Sequence, residues 1–364
     1  VTTLDDLPIR DDLRGKKPYG APMLDVPVTL NVNENTHPVP PEVQQAIVDA
    51  IAAELPRINR YPDREFEALR RDLADYLTES VGGTPAIDMA SVWAANGSNE
   101  VLQHVFQAFG GPGRTVLGFT PSYSMHPIIA ESTGTRFIGL GRGGDFDVAT
   151  GDAIRAVSQH RPDLVFICTP NNPTGTPMSL EAIAAIYEEA DGMVLVDEAY
   201  QEFHSAPDQS ALKLLPNRSR LIVSRTMSKA FAFAGARVGY MAADPAVIDA
   251  MRLVRLPYHL SAITQAAARA ALAHRGVMLG MVDDIKTQRD RLLVELPKLG
   301  YPVSHSEANF VLFSGVANPK ATFEALLAAG ILVRDVGIPH SLRVTAGTEA
   351  ETSSFLEQLA KLSG

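Results

Sequence analysis

Between residues 88 and 240 short apolar runs alternate with stretches of helical periodicity. The runs are SVWAA (91–95), TVLGF (115–119), TRFIGL (135–140), LVFIC (164–168), MVLVD (193–197) and LIVS (221–224). Between them lie helical candidates such as NEVLQHVFQAF (99–109) and LEAIAAIYEEA (180–190), the second with Ile183, Ile186 and Tyr187 on one face. Such switching between strand and helix periods predicts repeated β-α units that feed a mostly parallel open sheet.

The flanks read differently. PPEVQQAIVDAIAAEL (40–55) opens with prolines at helix-entry positions and carries Val43, Ala46, Ile47 and Ile51 on one face, the pattern of an amphipathic helix. An alanine-rich helical region (about 261–296) leads to NFVLF (309–313), the helix TFEALLAAG (322–330), ILVRD (331–335), LRVTA (342–346) and a closing helix from Glu349. The expected class is therefore α/β, with 364 residues divided into a large domain over 36–258 and a smaller α+β domain from 1–35 and 259–364.

Several functions are disfavoured at this stage. The 32 basic against 42 acidic residues give a net charge of −10, so no general basic field exists to hold nucleic acid. No apolar stretch approaches the roughly 18 residues of a membrane helix. The single cysteine, Cys168, and a polar N-terminal stretch point to a reducing cytoplasm. Gly139, Gly141 and Gly144 match GxGxxG, but the following DFDVATGD reads as loop, not as the helix a dinucleotide fingerprint needs. Nine histidines without ligand spacing give no reason to expect a metal.

Three segments carry chemistry: NNPTG (171–175), VDEAY (196–200) and TMSKAFAFAGARVGY (226–240). Each falls at or just beyond the C-terminal end of an expected strand, the edge at which open α/β sheets bind ligands. In this order and spacing they resemble the fold-type I pyridoxal-phosphate aminotransferases, over nearly the whole chain.

That resemblance implies a set of roles. Lys229 would form the Schiff base with pyridoxal 5'-phosphate, and Asp197 would face the pyridine nitrogen. Tyr200 and Asn172 would bond the 3-hydroxyl, and Tyr123 would stack on the ring. The phosphate would lie on the turn NGSNE (96–100), served by Ser98 and Asn99, with Thr226, Ser228 and Arg237 from the lysine segment. Arg343 would hold a substrate carboxylate with help from Asn172. Tyr61, in NRYPD (59–63), would reach the cofactor phosphate of a neighbouring subunit, which implies a homodimer.

Within that superfamily LNVNENTHP (30–38), NRYPD, WAANGSNE (93–100), TPSYSMH (120–126) and ILVRDVG (331–337) look most like the histidinol-phosphate aminotransferases of actinobacterial type. One departure is visible, NENTHPVP where the family commonly has NENPYGP. The resemblance implies small-molecule substrates, histidinol phosphate and 2-oxoglutarate, with Arg334 meeting a phosphate or distal carboxylate and Tyr19, Tyr258 and Asn99 near the substrate. Aromatic amino-acid transamination, β-elimination on the same scaffold, and a non-catalytic effector-binding module stand as alternatives.

Overall fold

The structure is a computed structural model that describes residues 2–362. Its strands, in chain order, are β1 (Val28–Thr29), β2 (Val92–Ala95), β3 (Thr115–Thr120), β4 (Arg136–Gly141), β5 (Leu164–Cys168), β6 (Met193–Asp197), β7 (Leu221–Thr226), β8 (Gly239–Ala243), β9 (Phe310–Phe313), β10 (Ile331–Leu332) and β11 (Leu342–Thr345).

Seven of these form one sheet in the order β2-β8-β7-β6-β5-β3-β4. All neighbours run parallel except β8, which is antiparallel to both β2 and β7. Every residue of β5 and β7 is buried. A parallel strand covered on both faces takes such an uninterrupted apolar run, which is why LVFIC does not alternate. The helices between strands form where the apolar period predicts, and side chains fix several starts. Ser179 accepts from Ala182 N before Leu180–Glu189, and Asp244 accepts from Ala246 N before Pro245–Val254.

Register places the site. Cys168 pairs with Asp197, and Asp197 pairs with Ser224, so β5 and β6 end level and β7 runs two residues farther, to Thr226. The segments that follow β5, β6 and β7 are the three motif segments. Sequence periodicity does not reveal β8, because GYMAA has neither a long apolar run nor alternation. This strand lets the chain return beside β7 after the lysine loop, with Gly239 opposite Thr226.

The C-terminal part builds a smaller layer. β9 and β11 pair antiparallel, and β1 from the N-terminal arm pairs parallel with β10. The arm continues this attachment through Leu30 N to Leu332 O (2.8 Å) and Thr345 N to Leu30 O (3.0 Å). The run ILVRD yields strand only at Ile331–Leu332, followed by a backbone bridge between Arg334 and Arg343. The region expected as one helical stretch is two helices, Ala262–Ala273 and Arg275–Lys298, separated at His274. Helix Pro41–Glu54 packs on the first of them, matching the amphipathic reading of 40–55. Gly139 and Gly141 lie inside β4 and the next helix opens only at Thr150, as expected of a connection rather than a dinucleotide site.

Candidate active site

The C-terminal edges of β5, β6 and β7 open into a cavity of about 660 Å³. Asn172, Asp197, Tyr200, Thr226, Ser228 and Lys229 reach its wall from the three motif segments. Lys229 Nζ donates to Val32 O at 2.9 Å. Burial, with Arg343 and Arg237 adding to it, pulls the amine down to about 8. A lysine in that range carries a useful fraction of neutral, nucleophilic amine near physiological pH.

Asp197 ends β6 and is buried. Ser224 Oγ donates to its Oδ1 at 3.2 Å, and His126 Nε2 stands 3.5 Å from its Oδ2. His126 itself is held through Nδ1 and Ser122 Oγ (3.1 Å), and burial lowers its basicity. His126, Cys168 and Asp197 offer ligand atoms within 4.8 Å of one another, a grouping drawn from three elements that no spacing along the chain signals. Burial pushes the Cys168 thiol up to about 12, so it stays protonated. The turn after β6 is anchored from below, where Glu198 Oε2 accepts from Arg225 Nε (3.1 Å) and Ser210 Oγ (2.6 Å). Both members of that ion pair are buried, so removing Arg225 leaves the Glu198 carboxylate without its cation at a cost of about 3–5 kcal/mol.

Tyr200 OH accepts from Asn33 Nδ2 at 3.0 Å and from Asn172 Nδ2 at 3.3 Å. Asn172 Oδ1 in turn accepts from Arg343 Nη1 (2.6 Å), while Arg343 Nη2 donates to Asn31 O (2.6 Å). Arg343 Nε is buried without a partner. Burial lowers this guanidinium to about 10, with Tyr200 opposing and Arg334 adding to the effect. Arg334 lines the same cavity, so two guanidinium groups face one end of it.

The opposite end is a cradle. Gly97 (φ +87°) turns β2 into the helix Ser98–Phe109, whose first N–H groups have no partner within the helix. A Cβ on Gly97 would stand 2.3 Å from Arg237 Nη2, and one on Gly239 would stand 2.2 Å from Gly97 C and Ser98 N. Glycine at both positions therefore lets Arg237, β8 and the helix start close on one spot. Ser98, Asn99, Thr226, Ser228 and Arg237 all line it, the donor set of an oxyanion site.

Tyr123 lines the cavity between these ends, and burial raises its phenol to about 12. Tyr19 meets its ring edge-on, with centroids 6.4 Å apart. Tyr61 and Tyr258 are not on this wall. They stack on each other outside it, centroids 4.4 Å apart and rings 13° from parallel, with Tyr61 80% exposed.

A sequence-family model for aminotransferases of class I and II matches residues 26–359. A curated histidinol-phosphate aminotransferase of Paenarthrobacter aurescens is 56% identical over 99% of this chain and 96% of its own length. That of Mycolicibacterium smegmatis is 53% identical over 100% and 95%. The chain belongs to the histidinol-phosphate aminotransferases.

Among solved structures, a putative histidinol-phosphate aminotransferase from Erwinia carotovora superposes with a TM-score of 0.83 at 26% identity, covering 92% of this chain and 96% of that one. The Sinorhizobium meliloti histidinol-phosphate aminotransferase, solved with pyridoxal-5'-phosphate, shares the fold at a TM-score of 0.80 and 22% identity, over 93% and 91%. Fold-type I architecture and aminotransferase membership, both expected from the motifs, are thus shown. His126 and Asn33 belong to motifs that stand out in the sequence, TPSYSMH and LNVNENTHP, but their residue types name no task. Only the tertiary contacts with Asp197 and Tyr200 do.

Proposed function

We propose that this protein transfers an amino group between L-histidinol phosphate and 2-oxoglutarate, giving imidazole acetol phosphate and L-glutamate, with pyridoxal 5'-phosphate as cofactor. The observation that carries this reading is one cavity holding a lysine of lowered basicity, a buried acid, a paired tyrosine and asparagine, a helix-start cradle and two converging arginines. The names and the near-complete coverage of the relatives support the substrate.

The donor set fits the cofactor, since a buried carboxylate suits a pyridinium and the glycine-cleared cradle suits a phosphate. When bound, the cofactor supplies an aldehyde for the amino group and a ring that draws electrons from the substrate's Cα. Lys229 Nζ is the covalent anchor and the base that moves the Cα proton. Asp197, oriented by Ser224 and His126, holds a proton on the ring nitrogen. Tyr200 and Asn172 hold the 3-oxygen, and Tyr123 covers the ring face. Ser98, Asn99, Thr226, Ser228 and Arg237 bind the phosphate. Arg343 and Arg334 bind the anionic group of whichever substrate is present, aided by Asn172, while Tyr19 lines the substrate pocket.

The working unit in this reading is a homodimer in the cytoplasm. Tyr61 and Tyr258 stack on each other, and Ile58, Leu253 and Leu256, close to them along the chain, are exposed as well, apolar side chains suited to a second copy. From there Tyr61 would reach the partner's cofactor phosphate and Tyr258 the partner's substrate. The division into 36–258 and 1–35 with 259–364 is supported by the sheet lying wholly within the first part and by the β1–β10 pairing within the second. Among the described residues no helix is long and apolar enough to cross a membrane.

The test is product analysis with loaded protein and both substrates. Glutamate formed in equal amount with the imidazole ketone, and only when both substrates are present, supports the reading. Ammonia released without any keto acid would replace it with elimination.

A further inference from the structure

We propose that Asn33 is a positioning residue, which makes Tyr200 an obligate hydrogen-bond donor and ties it to the C-terminal layer that carries Arg343. This rests on the reading of Tyr200 as the partner of the cofactor's 3-oxygen.

Asn33 is 1% exposed and has φ +57°, a left-handed conformation that asparagine tolerates better than most residues. All of its polar groups are engaged. Its N–H donates to Thr345 Oγ1 at 3.1 Å, and its carbonyl accepts from Asn309 Nδ2 at 3.0 Å. Its Oδ1 accepts from Thr345 Oγ1 at 3.2 Å, which leaves Nδ2 to donate to Tyr200 OH at 3.0 Å. Three of the four bonds therefore run to residues of β11 or just before β9, and the fourth crosses to Tyr200. The two preceding carbonyls do the same work for other groups, Asn31 O accepting from Arg343 and Val32 O from Lys229.

A phenolic hydroxyl has two acceptor positions and one proton to give. Asn172 can present only its NH₂ to Tyr200, because its Oδ1 is held by Arg343. With Asn33 supplying the second amide donor, both acceptor positions on Tyr200 are filled. Its proton must then go to a third group, and the cavity offers the cofactor's 3-oxygen. A donor there stabilises negative charge on that oxygen and so favours loss of the proton shared with the lysine-derived nitrogen.

The experiment is a pH titration of the visible absorbance of cofactor-loaded wild type, Tyr200→Phe, Asn33→Gly and the double variant. Glycine keeps the left-handed backbone and its two hydrogen bonds and deletes only the side chain. Tyr200→Phe is expected to raise the pH at which the long-wavelength band is half lost. Asn33→Gly is expected to raise it by roughly half a unit, the scale of one neutral hydrogen bond, and the double variant to match Tyr200→Phe alone. Its kcat should fall with KM within about twofold, since no substrate contact is removed. A midpoint unchanged in loaded Asn33→Gly while Tyr200→Phe moves it overturns the inference. An unmoved Tyr200→Phe overturns the prior reading of Tyr200 instead. If the glycine variant fails to load, Asn33→Ala removes the same donor without adding a charge, and the same upward shift or its absence decides.

Discussion

Arg343 Nη1 donates to Asn172 Oδ1 at 2.6 Å, joining the end of the cavity lined by Arg334 and Arg343 to the Asn172–Tyr200 pair. A lysine at this position loses the planar fork that serves Asn172 and Asn31 O together. Arg343→Lys should raise KM for 2-oxoglutarate at least tenfold, about 1.4 kcal/mol, while the protein still loads cofactor. Initial rates at varied 2-oxoglutarate check this, and an unchanged KM would remove Arg343 from substrate binding.

The lowered basicity of Lys229 has a kinetic consequence with a definite sign. Only the neutral amine attacks an aldehyde, so capture of pyridoxal 5'-phosphate by cofactor-free protein should speed up as pH rises and level off above about 8. A lysine left at its usual value would keep accelerating roughly tenfold per pH unit toward 10. Stopped-flow loading rates between pH 6 and pH 10 distinguish the two. Lys229→Ala should show no covalent capture and no measurable transamination.

Asp197 is buried, with Ser224 and His126 as its side-chain neighbours. Asp197→Asn keeps the shape but cannot hold a proton on the ring nitrogen, and should lower kcat at least a hundredfold, about 2.7 kcal/mol, with cofactor still bound. Steady-state rates on loaded variant check this, and a kcat within a few-fold of wild type contradicts the assignment.

Gly239 stands where a methyl group would meet the backbone of Gly97 and Ser98 at 2.2 Å. Gly239→Ala must push β8 away from the helix start to which the proposed function gives the cofactor phosphate. We expect weaker cofactor binding, by tenfold or more, and a loss of stability of about 1–3 kcal/mol. Equilibrium loading and denaturant unfolding measure the two effects separately.

If Tyr61 serves the partner's site, two inactive variants should rescue each other. A mixed dimer of Lys229→Ala and Tyr61→Ala subunits contains one site with both residues intact. After subunit exchange at equal amounts, activity should rise to about a quarter of wild type, the statistical share of intact sites in a two-fold dimer. No gain on mixing would place Tyr61 in its own subunit's function or in none.

Local pattern was enough for much of this molecule. The apolar runs of β2, β3, β5, β6 and β7 and the amphipathic stretch at 40–55 appear in the sequence because burial on one or both faces forces their composition. The three motif segments were readable because turn and strand-end chemistry is local. What stayed hidden depends on distant contacts. The antiparallel β8 is set by Gly239 approaching Gly97, more than a hundred residues earlier in the chain. Likewise the tasks of His126 and Asn33 come from Asp197 and Tyr200, brought near by sheet register and by the β1–β10 attachment.

The most direct test of the account is the ratio of kcat/KM for L-histidinol phosphate to that for L-phenylalanine, each with 2-oxoglutarate on one loaded preparation. The proposed function predicts a preference of a hundredfold or more for the phosphate substrate, about 2.7 kcal/mol of differential transition-state binding. A ratio favouring phenylalanine would contradict the account and make this an aromatic amino-acid aminotransferase.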